Sequence, residues 1–454
     1  MSTYHVKTYG CQMNYSDSER VEAYLEALGY EKEKDINKAE LIMINTCSIR
    51  QKAEDKVVGQ VRNLAKEREQ RNLKIGITGC MVRQSSSRKS KKKDKLFNLI
   101  GDDLDIALRI EELPQLAELI REIDPSSTVE AVKEESLEDY FMISPNYASK
   151  AQAFVPVSNG CDKFCTYCIV PFSRGRERSR SIEEIVEECA KLVENGCIEI
   201  TLVGQTVNSF GFSLDDKRTK KFAYLGSEKE PFVYLLEELD KLKEKGLKRV
   251  RFTSPHPRDM SDQLIDAMAT LETQMPYLHL PVQAGDNRTL KRMNRTYTVE
   301  RYREIIQKLR EKIPDISIST DIIVGFCDES EEEFETTYKF FEEMAFEHGF
   351  ISRYSDRKGT FANKYLKDNI AYPVKRDRWN RLNDLLEAIS QKAHERFRDK
   401  VVHVLVEGKE GDTCIGRSEH FKTVEFEARK DLVGKIVPVK ITDPQPWRLI
   451  GEIV

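Results

Sequence analysis

At 454 residues the chain is long enough for two or three domains, each with its own buried core. Charged residues make up 33% of it, yet the net charge is only -4, so bulk charge neither requires nor excludes a nucleic-acid partner. No stretch approaches the ~18 consecutive apolar residues of a membrane span, and residues 1–20 lack the apolar core of a signal peptide. Ten cysteines without the dense framework of a small secreted domain read as ligands or buried thiols, which fits a cytoplasmic location.

In chain order, residues 4–8, 41–45 and 75–78 predict strands, with helices at 16–28 and 51–68. A weaker strand at 104–108 and a helix at 111–120 complete a flavodoxin-like parallel-sheet unit. Arg83 to Lys95 carries seven positive side chains against Asp94 alone, plus four serines. With no interleaved aromatics, it reads as a solvated mobile loop more readily than as an RNA-contacting arm. Irregular patterning with Pro125 and Pro145 marks a linker from Ile123 to Lys150.

A second alternation follows, with strands at 154–157, 199–203, 249–253, 277–280, 316–324 and 349–354. Helices fall between them at 182–194, 232–243, 262–271, 299–312 and 331–344. Six such units predict an incomplete (βα)6 barrel whose chemistry gathers at the strand C-terminal ends. A helix at 374–398 leads to a tail, 400–454, with turn glycines at Gly408, Gly411, Gly416 and Gly434, which reads as a small β-barrel. The fold class is α/β, with domains placed at 1–122, 151–385 and 386–454 around a linker at 123–150.

The barrel opens on Gly160-Cys161-Asp162-Lys163-Phe164-Cys165-Thr166-Tyr167-Cys168, three thiols at CxxxCxxC spacing directly after its first strand. Soft thiolates suit zinc or iron–sulfur clusters. A structural zinc closes with a fourth protein ligand, and no further Cys or His lies close by. Three ligands on a four-iron cluster leave one iron open to a small molecule. In this the segment resembles the radical S-adenosylmethionine enzymes, and the resemblance implies that the cofactor's amino and carboxylate groups chelate that iron. It also offers Glu199, Gln205, Ser254, Gln283 and Asp321 as cofactor-binding positions, each otherwise an ordinary polar strand terminus.

A second constellation lies in the N-terminal unit. Cys11, Cys47 and Cys80 each stand just beyond a predicted parallel strand, and such strands end on one sheet edge, so the thiols converge at one crevice. Cysteines serving as small buried hydrophobes would fall inside strands, not repeatedly in the turns after them. A second 4Fe-4S cluster is therefore expected here. Cys189, Cys197, Cys327 and Cys414 read as non-ligands.

The combination resembles the methylthiotransferase family over essentially the whole chain. The matching segments are Thr8-Tyr9-Gly10-Cys11-Gln12-Met13-Asn14, Asn159-Gly160-Cys161, Arg174-Gly175-Arg176-Glu177-Arg178-Ser179-Arg180, Phe252-Thr253-Ser254-Pro255-His256-Pro257, His279-Leu280-Pro281-Val282-Gln283, Met293-Asn294-Arg295 and Asp321-Ile322-Ile323-Val324-Gly325-Phe326. The resemblance implies insertion of a methylthio group into an unactivated C–H bond, with S-adenosyl-L-methionine and two 4Fe-4S clusters as cofactors and no side chain as the catalyst.

Around Gln205-Thr206-Val207-Asn208 the sequence looks most like the MiaB-type members, which convert N6-isopentenyladenosine at position 37 of tRNA to its 2-methylthio form. The implied partners are the tRNA anticodon stem-loop and a reductant protein such as a flavodoxin or ferredoxin, with no membrane and a monomeric chain. The tail resembles a TRAM domain, an OB-like barrel, in which Arg417, Phe421, Lys422 and Phe426 are the expected RNA-binding residues. Thr206, Cys327 and the Arg83 to Lys95 run depart from the family pattern without touching an expected cluster ligand. Competing readings are a methylthiotransferase acting on threonylcarbamoyl-adenosine in tRNA or on a ribosomal protein aspartate, and a non-enzymatic iron–sulfur electron carrier or RNA-binding scaffold.

Overall fold

The computed structural model describes residues 2–47, 51–90, 95–125 and 139–454. It divides into two compact units, one of Met1–Ala148, Ser158–Asp162 and Cys168–Arg180, the other of Ser149–Val157, Lys163–Tyr167 and Ser181–Val454.

The first unit is built on β1 (Thr3–Thr8), β2 (Glu31–Lys32), β3 (Leu41–Thr46), β4 (Lys74–Gly79), β5 (Ser86–Ser87) and β6 (Ile106–Leu108). They lie in the order 2-1-3-4-6-5, and the pairings are parallel except that of β5 with β6. Without β5 this is the expected flavodoxin-like order. Every residue of β3 is buried, as a strand covered on both faces requires. Leu41 and Met43 pack with Val21 and Leu25 of the helix Gln12–Ala27. Ile42 and Ile44 pack with Val57 and Val61 of the helix Gln51–Lys66 on the other face.

Two expectations change here. Ser86 and Ser87 of the basic run are buried as a sheet edge, and Arg88 lies 3.5 Å from Asp105, so this part is not a solvated loop. Residues 91–94 of that run lie outside the described residues. Of the expected linker, 126–138 lie outside them too, while Tyr140 and Ile143 belong to the first unit's core and Asn146 Nδ2 donates to Glu26 at 2.6 Å.

In the second unit β7 (Gln152–Pro156) begins the barrel. The chain then forms a short antiparallel ribbon, β8 (Ser158–Asn159) with β9 (Arg178–Ser179), which belongs to the first unit. The barrel continues with β10 (Glu199–Val203), β11 (Arg249–Phe252), β12 (Tyr277–His279), β13 (Ser317–Val324) and β14 (His348–Arg353). Parallel triplets 7-10-11 and 12-13-14 are joined by a bridge between Val250 and Gln274, giving the six expected strands. Serine or threonine caps start the covering helices: Ser181 and Ser330 form capping boxes with Glu184 and Glu333, and Ser261 and Thr298 accept from the third helical N–H.

Alternation along the strands sends Ile200, Leu202, Leu278, Ile318 and Ile322 into the buried layer. Alternate positions on β12 and on the first part of β13 are polar: Tyr277, His279, Ser317, Ser319 and Asp321. Tyr277 and His279 share the Ser319 hydroxyl at 2.8 Å each, and His279 Nε2 lies 3.5 Å from Asp321. A lumen lined this way is not the aliphatic plug of a filled barrel.

The helix Tyr372–His394 leads to a closed barrel of β15 (Val401–Glu410), β16 (Thr413–Ser418), β17 (Thr423–Glu427), β18 (Ile436–Pro444) and β19 (Leu449–Ile453), ordered 15-16-17-19-18. Its β16–β17 turn seats on the N-terminal end of the larger barrel. Arg249 donates to the carbonyls of His403 (2.6 Å) and Arg417 (3.1 Å), and Arg251 to those of Ser418 (2.9 Å) and Glu419 (3.1 Å). Phe421 stacks on Tyr277 with ring centres 4.7 Å apart. Among the described residues no helix is long and apolar enough to cross a membrane.

Candidate active site

Parallel register sets the first group of thiols. Thr8 pairs with Asn45, Asn45 with Thr78 and Thr46 with Gly79, so Cys47 and Cys80 leave neighbouring strands at the same level. Cys11 follows β1 as the N-cap of the helix Gln12–Ala27. Asn14 and Asn45 lock these turns together. Asn14 Nδ2 donates to Asn45 Oδ1 (3.0 Å) and the Thr46 carbonyl (3.2 Å), its Oδ1 accepts from the Cys11 N–H (3.3 Å), and Asn45 Nδ2 donates to the Asn14 carbonyl (2.7 Å). The sequence segments quoted above include Asn14 without assigning it this work, and Asn45 was given no role; their place near cysteines in two separate turns was the available signal.

Cys11 is exposed as a residue, yet protein crowds its sulfur. That desolvation pushes the thiol up, the Cys80 sulfur adds to it, and Arg174 opposes both. The Arg174 side chain is buried in the same unit. Its Nε donates to Cys80 Sγ at 3.5 Å, one terminal nitrogen donates to Asn159 at 3.1 Å, and the other is paired with Asp17. Asp17 also accepts from the Tyr140 hydroxyl at 2.6 Å. Burial alone would pull the guanidinium down; Asp17, and then the Cys80 sulfur, hold it well up.

Of the second group, Cys161 and Cys168 belong to the first unit and Cys165 to the second. The Cys161 N–H donates to the Gly175 carbonyl at 3.2 Å. Gly160 before it has φ +84°, and a Cβ there would lie 2.2 Å from the Arg176 carbonyl oxygen. Gly160→Ala is therefore expected to destabilise the protein by roughly 1–3 kcal/mol through backbone strain and to lower retained iron; urea unfolding and iron analysis check both. The segment Met293-Asn294-Arg295 clamps the Cys165 loop. Thr166 N donates to the Met293 carbonyl (3.0 Å), Asn294 Nδ2 to the Phe164 carbonyl (2.9 Å), and an Arg295 terminal nitrogen lies 3.5 Å from Cys165 Sγ.

Four expected cofactor-binding residues lie toward strand C-terminal ends. Gln205 follows β10 and its Oε1 is buried with no hydrogen-bond partner among the described residues. Ser254 follows β11 with φ +57°. Gln283 and Asp321 come together through backbone: Gln283 N donates to the Asp321 carbonyl at 2.8 Å. Glu199 is different, being the first residue of β10, at the opposite end. Burial pushes its carboxyl up, but Arg251 (3.2 Å) and Arg249 (3.5 Å) more than reverse this, so Glu199 anchors the two arginines that hold the smaller barrel.

The expected RNA-binding side chains of that barrel also need correction. Phe426 is 2% exposed in its core, Lys422 is buried against Glu347 at 2.8 Å, and Phe421 is the ring stacked on Tyr277. Arg417 lies over Phe421 with its guanidinium carbon 5.0 Å from the ring centre. Basic and aromatic residues here join two domains; their partners are distant in sequence.

Residues 155–341 match the radical SAM superfamily, residues 3–101 the uncharacterized protein family UPF0004 and residues 395–454 the TRAM domain. The tRNA-2-methylthio-N(6)-dimethylallyladenosine synthases of Staphylococcus aureus strains MRSA252 and JH9 are each 39% identical to this chain over 461 residues, covering 100% of it and 85% of the relative. The chain belongs to the tRNA-2-methylthio-N(6)-dimethylallyladenosine synthase family. It is thus a radical SAM methylthiotransferase, as the sequence segments led us to expect. In fold, it resembles the radical S-adenosylmethionine methyltransferase TsrM from Kitasatospora setae, with a TM-score of 0.54 at 14% identity over 78% of this chain and 73% of that one. The cobalamin-dependent S-adenosylmethionine radical enzyme OxsB gives a TM-score of 0.51 at 12% identity over 86% and 56%.

This family uses S-adenosylmethionine and carries two 4Fe-4S clusters, and the residues present fit such groups. All the described cysteines are free thiols. In each group of three, a guanidinium N–H approaches one sulfur, Arg174 at Cys80 and Arg295 at Cys165. Thr78 Oγ1 beside Cys80, like Gln205 Oε1 at the barrel mouth, is a buried oxygen without a partner among the described residues. Among those residues no three His, Cys, Asp or Glu side chains crowd together as around a single ion; a four-iron cluster takes thiolates at separate corners.

Proposed function

We propose that this protein inserts a methylthio group at C2 of N6-isopentenyladenosine at position 37 of tRNA. Cys161, Cys165 and Cys168 hold the cluster that binds S-adenosylmethionine, and Cys11, Cys47 and Cys80 hold the second. The observation that carries this is the pair of independently built cysteine groups, each with an arginine on one sulfur, in a chain aligned end to end with synthases named for this product. When bound, the clusters and S-adenosylmethionine supply the radical activation and the sulfur that an unactivated carbon requires.

The chain's own residues do the positioning. Asn14 and Asn45 fix the turns of Cys11 and Cys47, the Thr46 carbonyl accepts from the Cys80 N–H, and Met293 to Arg295 fix the Cys165 loop. Gln205, Ser254, Gln283 and Asp321 are assigned to the cofactor. The β16–β17 turn holds the N-terminal end of the barrel through Arg251 and Tyr277. The domains are assigned as 1–122, 151–385 and 386–454. A monomer in the cytoplasm, where its tRNA resides, receives electrons from a flavodoxin or ferredoxin.

The test is nucleoside mass spectrometry of tRNA from a strain lacking the gene. The 2-methylthio-isopentenyladenosine signal is expected to disappear and isopentenyladenosine to accumulate. Persistence of that signal with loss of a methylthiolated threonylcarbamoyl-adenosine, or of a modified ribosomal aspartate, would overturn the substrate.

A further inference from the structure

The aromatic and basic residues of the C-terminal barrel are largely taken up by the interface with the larger barrel, which leaves open what grips the unpaired bases of an RNA loop. Another segment carries the required chemistry. Between Phe350 and Arg376 the sequence has seven Lys or Arg against two Asp and no Glu, in a chain whose net charge is -4. Within it Phe350 is 47%, Phe361 49%, Tyr365 70% and Tyr372 62% exposed. Large rings left this open need a partner to justify them.

Their placement follows the topology. Phe350 lies on β14, with its ring centre 6.0 Å from that of His279 in the lumen. The short helix Phe361–Tyr365 follows β14 beyond its C-terminal end and presents Phe361 and Tyr365 side by side, ring centres 4.7 Å apart. The Ala362 N–H donates to the Thr166 carbonyl at 2.8 Å, which fixes that helix against the loop of Cys165. Arg353 covers Tyr372 at 4.9 Å and donates to its hydroxyl at 2.9 Å. Lys358, Lys364 and Lys367 are exposed around them.

We propose that Phe361 and Tyr365, side by side beyond the C-terminal end of β14, are the platform on which unpaired bases of the RNA loop stack, while the surrounding lysines track its phosphates. Stacking on aromatic faces with cations along the backbone is how single-stranded nucleic acid is held without reading its sequence. Here it delivers the target nucleotide to the lumen beside Cys165. An acidic protein would use the positive charge but not two open rings side by side, so the rings decide for RNA. The inference rests on the tRNA reading above.

The test is fluorescence anisotropy with the full-length, anaerobically reconstituted protein. The probes are an anticodon stem-loop RNA carrying isopentenyladenosine and a control in which the loop bases are paired. Phe361→Ala and Tyr365→Ala are each expected to weaken stem-loop binding about tenfold to a hundredfold while leaving thermal midpoint and iron content unchanged. Tyr365→Phe is expected to keep the affinity and Tyr365→Leu to lose it. Lys364→Ala with Lys367→Ala should flatten the salt dependence by about one to two units of log–log slope. Unchanged affinity in the Phe361→Ala, Tyr365→Ala double variant would overturn the platform. So would lysine variants that slow reduction by a flavodoxin but leave RNA affinity intact. If the parent itself fails to distinguish the stem-loop from the paired control, the tRNA reading falls, a result separable from loss confined to the variants.

Discussion

Cys165→Ala is expected to abolish 5′-deoxyadenosine formation, whereas Cys47→Ala is expected to spare that product and stop sulfur insertion. Each substitution removes a thiolate from one group only, so each should lose roughly half of the bound iron. Cys165 lies in the loop clamped by Thr166, Asn294 and Arg295. Cys47 lies one residue beyond β3, in the network of Asn14, Asn45 and Thr46. Among the described residues these two hydrogen-bond networks have no member in common, and the two losses should therefore be separable. Anaerobic assays with dithionite, read by mass spectrometry for 5′-deoxyadenosine and methylthiolated nucleoside, check this. Equal loss of 5′-deoxyadenosine from both variants would count against two separate centres.

The second large effect concerns a buried charge. The side chains of Arg174 and Asp17 are 2% and 0% exposed, and they face Tyr140, Asn159 and Cys80. Asp17→Ala leaves the guanidinium buried without its carboxylate, which is expected to cost about 3–5 kcal/mol. Arg174→Lys keeps the charge but loses the fork that reaches three partners at once, so it should recover part of that stability and still alter the electron paramagnetic resonance signal of the N-terminal cluster. Urea unfolding and that spectrum, taken together, separate packing from an effect on the Cys80 thiolate. An Asp17→Ala protein that unfolds within about 1 kcal/mol of the parent, well below the cost of an unpaired buried charge, would mean that the pair contributes little.

Much of this could be read in the sequence because parallel strands buried on both faces leave unbroken apolar runs. Leu41 to Thr46 is such a run, and the turn after it could be placed to within a residue. The amphipathic helices Ile182–Glu194 and Glu331–Met344 were legible through their apolar period. What stayed hidden depends on partners remote along the chain. Tyr140 looked like part of a linker because nothing near it in sequence announces Asp17. Glu199 was offered to the cofactor by resemblance, although as the first residue of its strand it stands at the opposite end of the barrel, where its arginine partners are distant in sequence. Lys422 and Phe426 looked like an RNA surface, since composition alone cannot distinguish a basic residue facing solvent from one facing Glu347.

The seating of the small barrel on the large one makes it a foundation as well as a binding module. Arg249 and Arg251 give their N–H groups to carbonyls at 403 and 417–419, and Tyr277 is covered by Phe421. Cutting the chain before residue 395 would leave Arg249 and Arg251 with Glu199 alone and uncover the ring of Tyr277. A truncated enzyme would therefore be weakened for reasons unrelated to RNA.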